Sequence, residues 1–366
     1  MSLSTRAPIE KRSDNRTDRF SPQAKGQLQS EAPRIVVIGG GSGSSVILNG
    51  LKRYEAEITA IVSMFDSGGS SGLLRTEFGY PPFGDLRQCL LALSEDSETA
   101  QTLQPLLDFR FHKDSSLQGH NLGNLMLAGL TSLSDLEGAV NSLSQVLKIR
   151  GRVVPVSLDK GDLCAELEDR SILRGETKID LRGRPLPRIE KVFLEPAASA
   201  NPRAVQAILE ADVVVLGPGD LYTSIIPNLL VCGIPEALKQ TSATLIYVCN
   251  LMTKMGETDD FAASDFVAEI NRYLRGAKID WALVNTAAIS PEITGKYAME
   301  GARLVEPDLE RLLDQGVKYL GSPVVGCQDP VRHHSELLAN GILNLVHSNP
   351  RHEYSQENLR RISIFS

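Results

Sequence analysis

The sequence predicts an α/β protein of doubly wound, Rossmann-like design, with a mostly parallel sheet and a small antiparallel insertion. Two observations carry that expectation. Short unbroken β-branched runs such as Arg34-Ile-Val-Val-Ile38 recur along the chain, the mark of strands buried on both faces. Helical stretches separate these runs, and glycine-rich loops follow several of them directly.

The first run leads through glycines to Val46, Ile47, Leu48 and Leu51 at helical spacing. Ile58–Val62, Ala211–Leu216, Thr244–Cys249 and Trp281–Asn285 are the next four strands, and helices are expected over Asp85–Ser94, Asn121–Thr131 and Ala262–Leu274. Residues 151–195 break the alternation. Val154, Val156 and Leu158 have period two, as do Leu163, Ala165 and Leu167, and the Lys160-Gly161 break between them predicts a hairpin. Arg182-Gly-Arg-Pro185 is a further break. The expected organisation is a disordered tail (1–32), one α/β domain (33–350) carrying the antiparallel insertion, and a C-terminal extension (351–366).

At 366 residues and 42% hydrophobic, the chain has globular composition and length enough for one large domain. A net charge of −7 without a dense Lys/Arg block argues against nucleic acid or an anionic membrane as partner, so a charged ligand must be met by a local site. Cys89, Cys164, Cys232, Cys249 and Cys327 are scattered with no C-x-x-C pair, which fits a reducing compartment. No apolar run approaches the roughly 20 residues of a membrane span. The start lacks a secretory apolar stretch, and Glu10, Asp14 and Asp18 argue against a transit peptide. Cytoplasm is the expected location.

Three loops carry the chemistry. Ile38-Gly-Gly-Gly-Ser-Gly-Ser-Ser45 follows the first strand and opens the first helix. Glycine lets a ligand approach the backbone, and a helix start offers unpaired N–H groups and the positive end of its dipole. Gly40, Gly41, Ser42, Gly43 and Ser44 therefore form a candidate phosphate cradle, with a tight strand-to-helix turn as the plainer alternative. The strict G-x-G-x-x-G fails at Val46, and a Walker lysine is absent. Asp66-Ser-Gly-Gly-Ser-Ser-Gly72 follows the second strand. Asp66 stands where a dinucleotide-binding domain holds a ribose hydroxyl, which makes an NAD enzyme a rival. The Ser/Gly composition after it suits a second oxyanion cradle or a flexible surface loop. The third loop, Leu216-Gly-Pro-Gly-Asp-Leu-Tyr-Thr-Ser224, supplies Gly217 and Gly219, with Asp220, Thr223 and Asn228 as polar candidates. Loops at the carboxyl ends of parallel strands converge on one crevice.

Other polar residues have two readings each. In Gly119-His-Asn-Leu-Gly-Asn124, Asn121 caps the following helix, or His120 and Asn124 face the crevice. Asp85, beside Arg87, sits at a helix start where a cap is the simpler role. Asn250 ends the fourth strand. Arg332 has the fork geometry of a phosphate clamp, and a solvated surface arginine is its alternative. The pair His333-His334 lacks further ligands at metal spacing. With no nucleophile elbow and no Cys/His pair, no catalytic residue is nominated.

In their order along the chain, Gly39-Gly-Gly-Ser-Gly43, Asp66–Gly72, Pro82-Phe-Gly-Asp-Leu-Arg87, Gly119–Asn124, Leu216–Ser224 and Tyr247-Val-Cys-Asn250 resemble the 2-phospho-L-lactate transferase-like family. The resemblance covers roughly residues 34–345 and is nearer to the bacterial gluconeogenesis-factor (YvcK-like) branch. It implies a Rossmann-like fold. For the branch it implies binding of UDP-N-acetylglucosamine, a regulatory role in cell-wall precursor supply and cell shape, and no settled catalytic activity. The transferase branch instead moves a phospholactyl group from a nucleotide-activated donor to a deazaflavin with a divalent metal. By resemblance, Tyr297 and Arg332 contact the nucleotide sugar. The sequence departs from the pattern at Ser67, where a second acid is usual, at Asp220 for Ser, at His334 for Asp, and at the extra Phe83.

The expectation is a nucleotide-sugar-binding regulator. Gly40–Ser44 and Gly217–Gly219 cradle phosphates, Asp66, Asn124 and Asn250 orient sugar or base, and Tyr297 and Arg332 close over the nucleotide. The alternative is a metal-dependent phospholactate-type transferase using Asp66 and magnesium. Expected partners are the nucleotide sugar, a second copy of the chain and a regulated enzyme, with neither nucleic acid nor membrane insertion.

Overall fold

The computed structural model describes residues 32–112, 115–182, 187–326 and 330–347. All but the last residue of the expected tail (1–32), most of the Arg182–Pro185 break and the extension 351–366 lie outside the described residues. Among the described residues twelve strands are formed: β1 (Arg34–Gly39), β2 (Glu57–Val62), β3 (Arg152–Pro155), β4 (Asp162–Leu167), β5 (Ile172–Arg174), β6 (Ile189–Glu195), β7 (Val213–Leu216), β8 (Thr244–Val248), β9 (Trp281–Asn285), β10 (Lys318–Ser322), β11 (Val325–Gly326) and β12 (Arg332–His333).

Seven of them make one sheet in the order β10-β9-β8-β7-β1-β2-β3, and every neighbouring pair is parallel. The β-branched runs explain its centre. Ile35, Val37 and Ile38 in β1 and all of β7 are buried, as strands covered on both faces must be. From β1 the chain winds out through β2 to β3, then returns to β7 and winds the other way to β10. The order therefore reverses between β1 and β7, the position at which open α/β sheets hold ligands.

The insertion differs from the expected hairpin. The 152–155 stretch is not antiparallel to 162–167; it joins the main sheet as β3, parallel to β2. The antiparallel sheet is β5-β4-β6 and begins at Asp162. Leu163, Ala165 and Leu167 are buried as their period predicts, but Leu158 is exposed and belongs to the connection. Period two alone cannot name the partner strand. The edge strand β10 was also not foreseen, because its half-exposed Lys318-Tyr-Leu-Gly-Ser322 carries no β-branched run.

Three helices frame the sheet's carboxyl edge: α1 (Gly41–Leu51), α2 (Gly69–Phe78) and α3 (Gly84–Leu93). The first two start inside the first and second glycine loops. α1 packs against α3 and against the last described helix, Ser335–His347. No helix among the described residues is long and apolar enough to cross a membrane.

Candidate functional site

The first and third glycine loops meet at the β1/β7 switch point. A Cβ added to Gly43 would overlap the carbonyl oxygen of Pro218, and one added to Gly40 would lie 3.0 Å from Ser224 Oγ. Gly217, at φ +75°, takes a left-handed conformation that favours glycine and sets the turn out of β7. Thr223 and Ser224 lie in a five-residue π-helix, Leu221–Ile225, a rare geometry that recurs at functional sites. Ser42 is exposed at the first turn of α1, where the N–H groups have no helical acceptor. Ser44 Oγ and Thr223 Oγ1 are buried without a hydrogen-bond partner among the described residues.

Two of the predicted cradle glycines are also required by packing within the protein. Gly43 must lack a Cβ for the contact with Pro218, whatever its backbone N–H does. Gly41 is covered by Asp85: a Cβ there would lie 2.7 Å from Asp85 Oδ1, and Asp85 accepts a hydrogen bond from the Gly41 backbone N–H. Asp85 is therefore not a side-chain cap of its own helix, α3, but an anion at the start of α1. The physical reason is that Phe83 already begins α3 without a side-chain bond, while α1 starts with glycines that offer none.

Acidic groups cluster beside it. Burial, then the charge of Asp66, pushes the Asp85 carboxyl up to about 7. Glu176, from the short helix Glu176–Asp180 in the insertion, is pushed to about 7 by the same two causes in the same order. Asp66 Oδ1 accepts the Gly68 N–H at 2.7 Å, and Ser67, where a second acid was expected by resemblance, bonds Thr177 at 3.0 Å. The second loop is thus fastened to the insertion rather than loose. Ser71 Oγ accepts the Gly84 N–H at 3.1 Å, and Ser70 Oγ accepts that of Asn121 at 3.1 Å, which ties in α3 and the helix Leu122–Leu133.

The remaining predicted residues divide. Asn121 caps its helix, accepting the Asn124 N–H at 3.1 Å. Asn124 is buried and its Oδ1 accepts from Arg87 Nε at 3.1 Å, so that side chain is held in a network with Arg87 and Asp108. Asn250 Nδ2 donates to the Gly219 carbonyl at 2.8 Å, fixing the third loop to the end of β8. Asn228 Nδ2 likewise turns inward, to the Ser224 carbonyl. Tyr297 and the Arg332 segment are brought together: Tyr297 Oη accepts the Val331 N–H at 2.8 Å. His333 faces the Cys249 carbonyl at 3.0 Å, which docks the β11–β12 hairpin at the end of β8, and burial lowers its pKa to about 4. Arg332, beside it, is exposed.

Sequence reasoning missed a second charged group. Lys254 Nζ bonds Asp180, Asp220 at 2.6 Å and Glu257 at 3.1 Å. It thereby joins the insertion, the third loop and the segment after β8. The three carboxylates place ligand atoms within 4.8 Å of one another, and the ammonium is their shared counter-charge. Burial pushes Glu257 up to about 8, against the lowering effect of Lys254. A lone Lys in a loop gave no signal; Asp220 in place of Ser was the visible half of the pair.

The chain matches the 2-phospho-L-lactate transferase CofD family over residues 35–325. It is 41% identical over 319 residues to the gluconeogenesis factor of Bacillus subtilis, covering 86% of this chain and 99% of that one. With the gluconeogenesis factor of Halalkalibacterium halodurans it shares 44% over 312 residues, 84% and 95% of the two chains. A crystal structure of a UPF0052-family protein from Bacillus halodurans is similar at a TM-score of 0.81 and 42% identity, covering 85% of this chain and 99% of that one.

Proposed function

Because the chain belongs to the 2-phospho-L-lactate transferase CofD family, we propose that it acts as a gluconeogenesis factor whose crevice binds UDP-N-acetylglucosamine, and that it regulates cell-wall precursor supply and cell shape. The observation that carries this reading is the meeting of two glycine loops at the β1/β7 switch point, with the buried hydroxyls of Ser44 and Thr223 unpartnered beside them. Buried polar groups need partners, and phosphate oxygens are suitable ones. Ser42 and Gly43 offer first-turn N–H groups to the same anion. Arg332, held close by the Tyr297–Val331 bond, supplies a charged fork from the other side. Asn124 and Asn250 act as positioning residues, since their side chains hold Arg87 and the Gly219 carbonyl. Calorimetric titration with the UDP sugar, UDP, GDP and NAD tests the proposal; preference for GDP or NAD contradicts it.

A metal-dependent transferase is the second reading, favoured by one observation. Asp66 and Asp85 lie close enough for one to raise the other, and two hard carboxylate donors fit magnesium. Bound there, the metal would neutralise the charge of a nucleotide's phosphates, while the chain's own residues orient the ligand. This reading expects magnesium-dependent transfer that Asp66→Asn abolishes. Absence of turnover with any nucleotide-activated donor removes it.

A further inference from the structure

The opposite, amino-terminal edge of the sheet carries a second cleft of about 510 Å³, at the starts of β8, β9 and β10. Its lining includes Lys239, Lys278, Lys318, Asp280 and Trp281. Lys318 and Trp281 are register partners on adjacent strands, and Lys318 Nζ stands 5.4 Å from the centre of a ring of the Trp281 side chain. Lys239 runs over Gly276: a Cβ at that glycine, φ +107°, would lie 3.6 Å from its Nζ. The end of the Lys239 side chain therefore lies along the Gly276 turn.

Charge in this cleft is unbalanced. Asp280, the only acid in the lining among the described residues, already accepts the Leu245 N–H at 2.8 Å. None of the three lysines has a carboxylate within ion-pair distance among the described residues, whereas nearby Arg275 pairs with Glu236 at 3.8 Å. The chain as a whole carries 45 acids against 38 lysines and arginines. Three ammonium groups around one cavity, without a carboxylate partner among the described residues, repel one another, and a multiply charged anion relieves that repulsion.

We propose that this cleft binds a phosphate-chain anion, a di- or triphosphate, at a site separate from the glycine-loop crevice. Lysine is a point-charge partner for phosphate, and three of them spread along one cavity suit a chain of phosphates better than a single carboxylate. The anion comes either as a free polyphosphate or as the phosphate chain of a nucleotide.

Trp281 is the single tryptophan of the chain, so its emission reports on this cleft. The full chain is titrated with tripolyphosphate and with ATP at constant ionic strength, and retention of both anions is measured in parallel by equilibrium dialysis. The expected result is saturable binding, weakened at least about tenfold in Lys239→Ala/Lys278→Ala, with Trp281 emission following the same curve. Tighter binding of ATP identifies a nucleotide as the source, and tighter binding of tripolyphosphate a free polyphosphate. Equal retention by the wild-type chain and the folded double variant overturns the proposal, whatever the emission does.

Discussion

Gly43 lies against Pro218, with no room for a side chain between them. The first and third glycine loops are therefore one packed unit, and the switch point is shaped by backbone on backbone. Gly43 is a helical residue, so alanine there is favoured by propensity and opposed only by the contact. Gly43→Ala should lower stability by about 2–4 kcal/mol in urea denaturation. Gly129→Ala, where nothing lies within 4 Å of the added Cβ, should be neutral or stabilise by about 0.5–1 kcal/mol. Equal effects at the two sites would show that the packing account of the loops is wrong.

Asp85 gives a pH signature. Its carboxyl titrates near 3.8 in the unfolded chain and at about 7 in the fold, so the native state holds the proton to higher pH. The folded protein therefore loses stability as pH rises from about 4 through 7, a cost on the order of 4 kcal/mol that is complete above 7. Asp85→Asn keeps an acceptor for Gly41 and removes the charge. Its melting temperature should exceed that of the wild type at pH 8.5 and match it near pH 4. A difference independent of pH would remove Asp66 and burial as its cause.

Tyr297 accepts the backbone N–H of Val331, the residue before Arg332. Arg332→Ala should weaken UDP-sugar binding by about 1.5–3 kcal/mol if the guanidinium meets phosphate. Tyr297→Phe removes only the acceptor for Val331 N–H and should cost about 0.5–1.5 kcal/mol by loosening the hairpin. Unchanged affinity in both variants would take this segment out of the site.

Lys254 and Asp220 form a pair that can be tested by a double-mutant cycle. Lys254→Met leaves Asp180, Asp220 and Glu257 facing one another and should cost about 2 kcal/mol, less than a fully buried pair because the lysine is part-exposed. Lys254→Met/Asp220→Ser should recover part of that loss. Additive destabilisation in the double variant would mean that the two do not interact.

What the sequence made legible follows from burial. β1 and β7 announce themselves because strands covered on both faces must be apolar throughout, and their glycine loops follow at once. β10 sits at an edge and needs no such run, while β3 is an edge strand ending in Pro155, so its period two looked like half of a hairpin. Helix-start and strand-end positions put Gly40–Ser44, Gly217 and Asn250 at the carboxyl ends of the strands, and that is where they lie in the fold. What sequence order could not show was which acid meets which loop. Asp85 reaches Gly41 across 44 positions, and Asp180 reaches Lys254 across 74, through packing that no local pattern encodes.

The ligand held at the β1/β7 switch point decides between the two functions. Calorimetric titration of the purified chain with UDP-N-acetylglucosamine, UDP, GDP and NAD, with and without magnesium, tests its identity most directly. Tight binding selective for the uridine nucleotides, reduced in Arg332→Ala, is the predicted result. Failure of the UDP sugar to bind, with a guanine nucleotide binding only when magnesium is present, would contradict it.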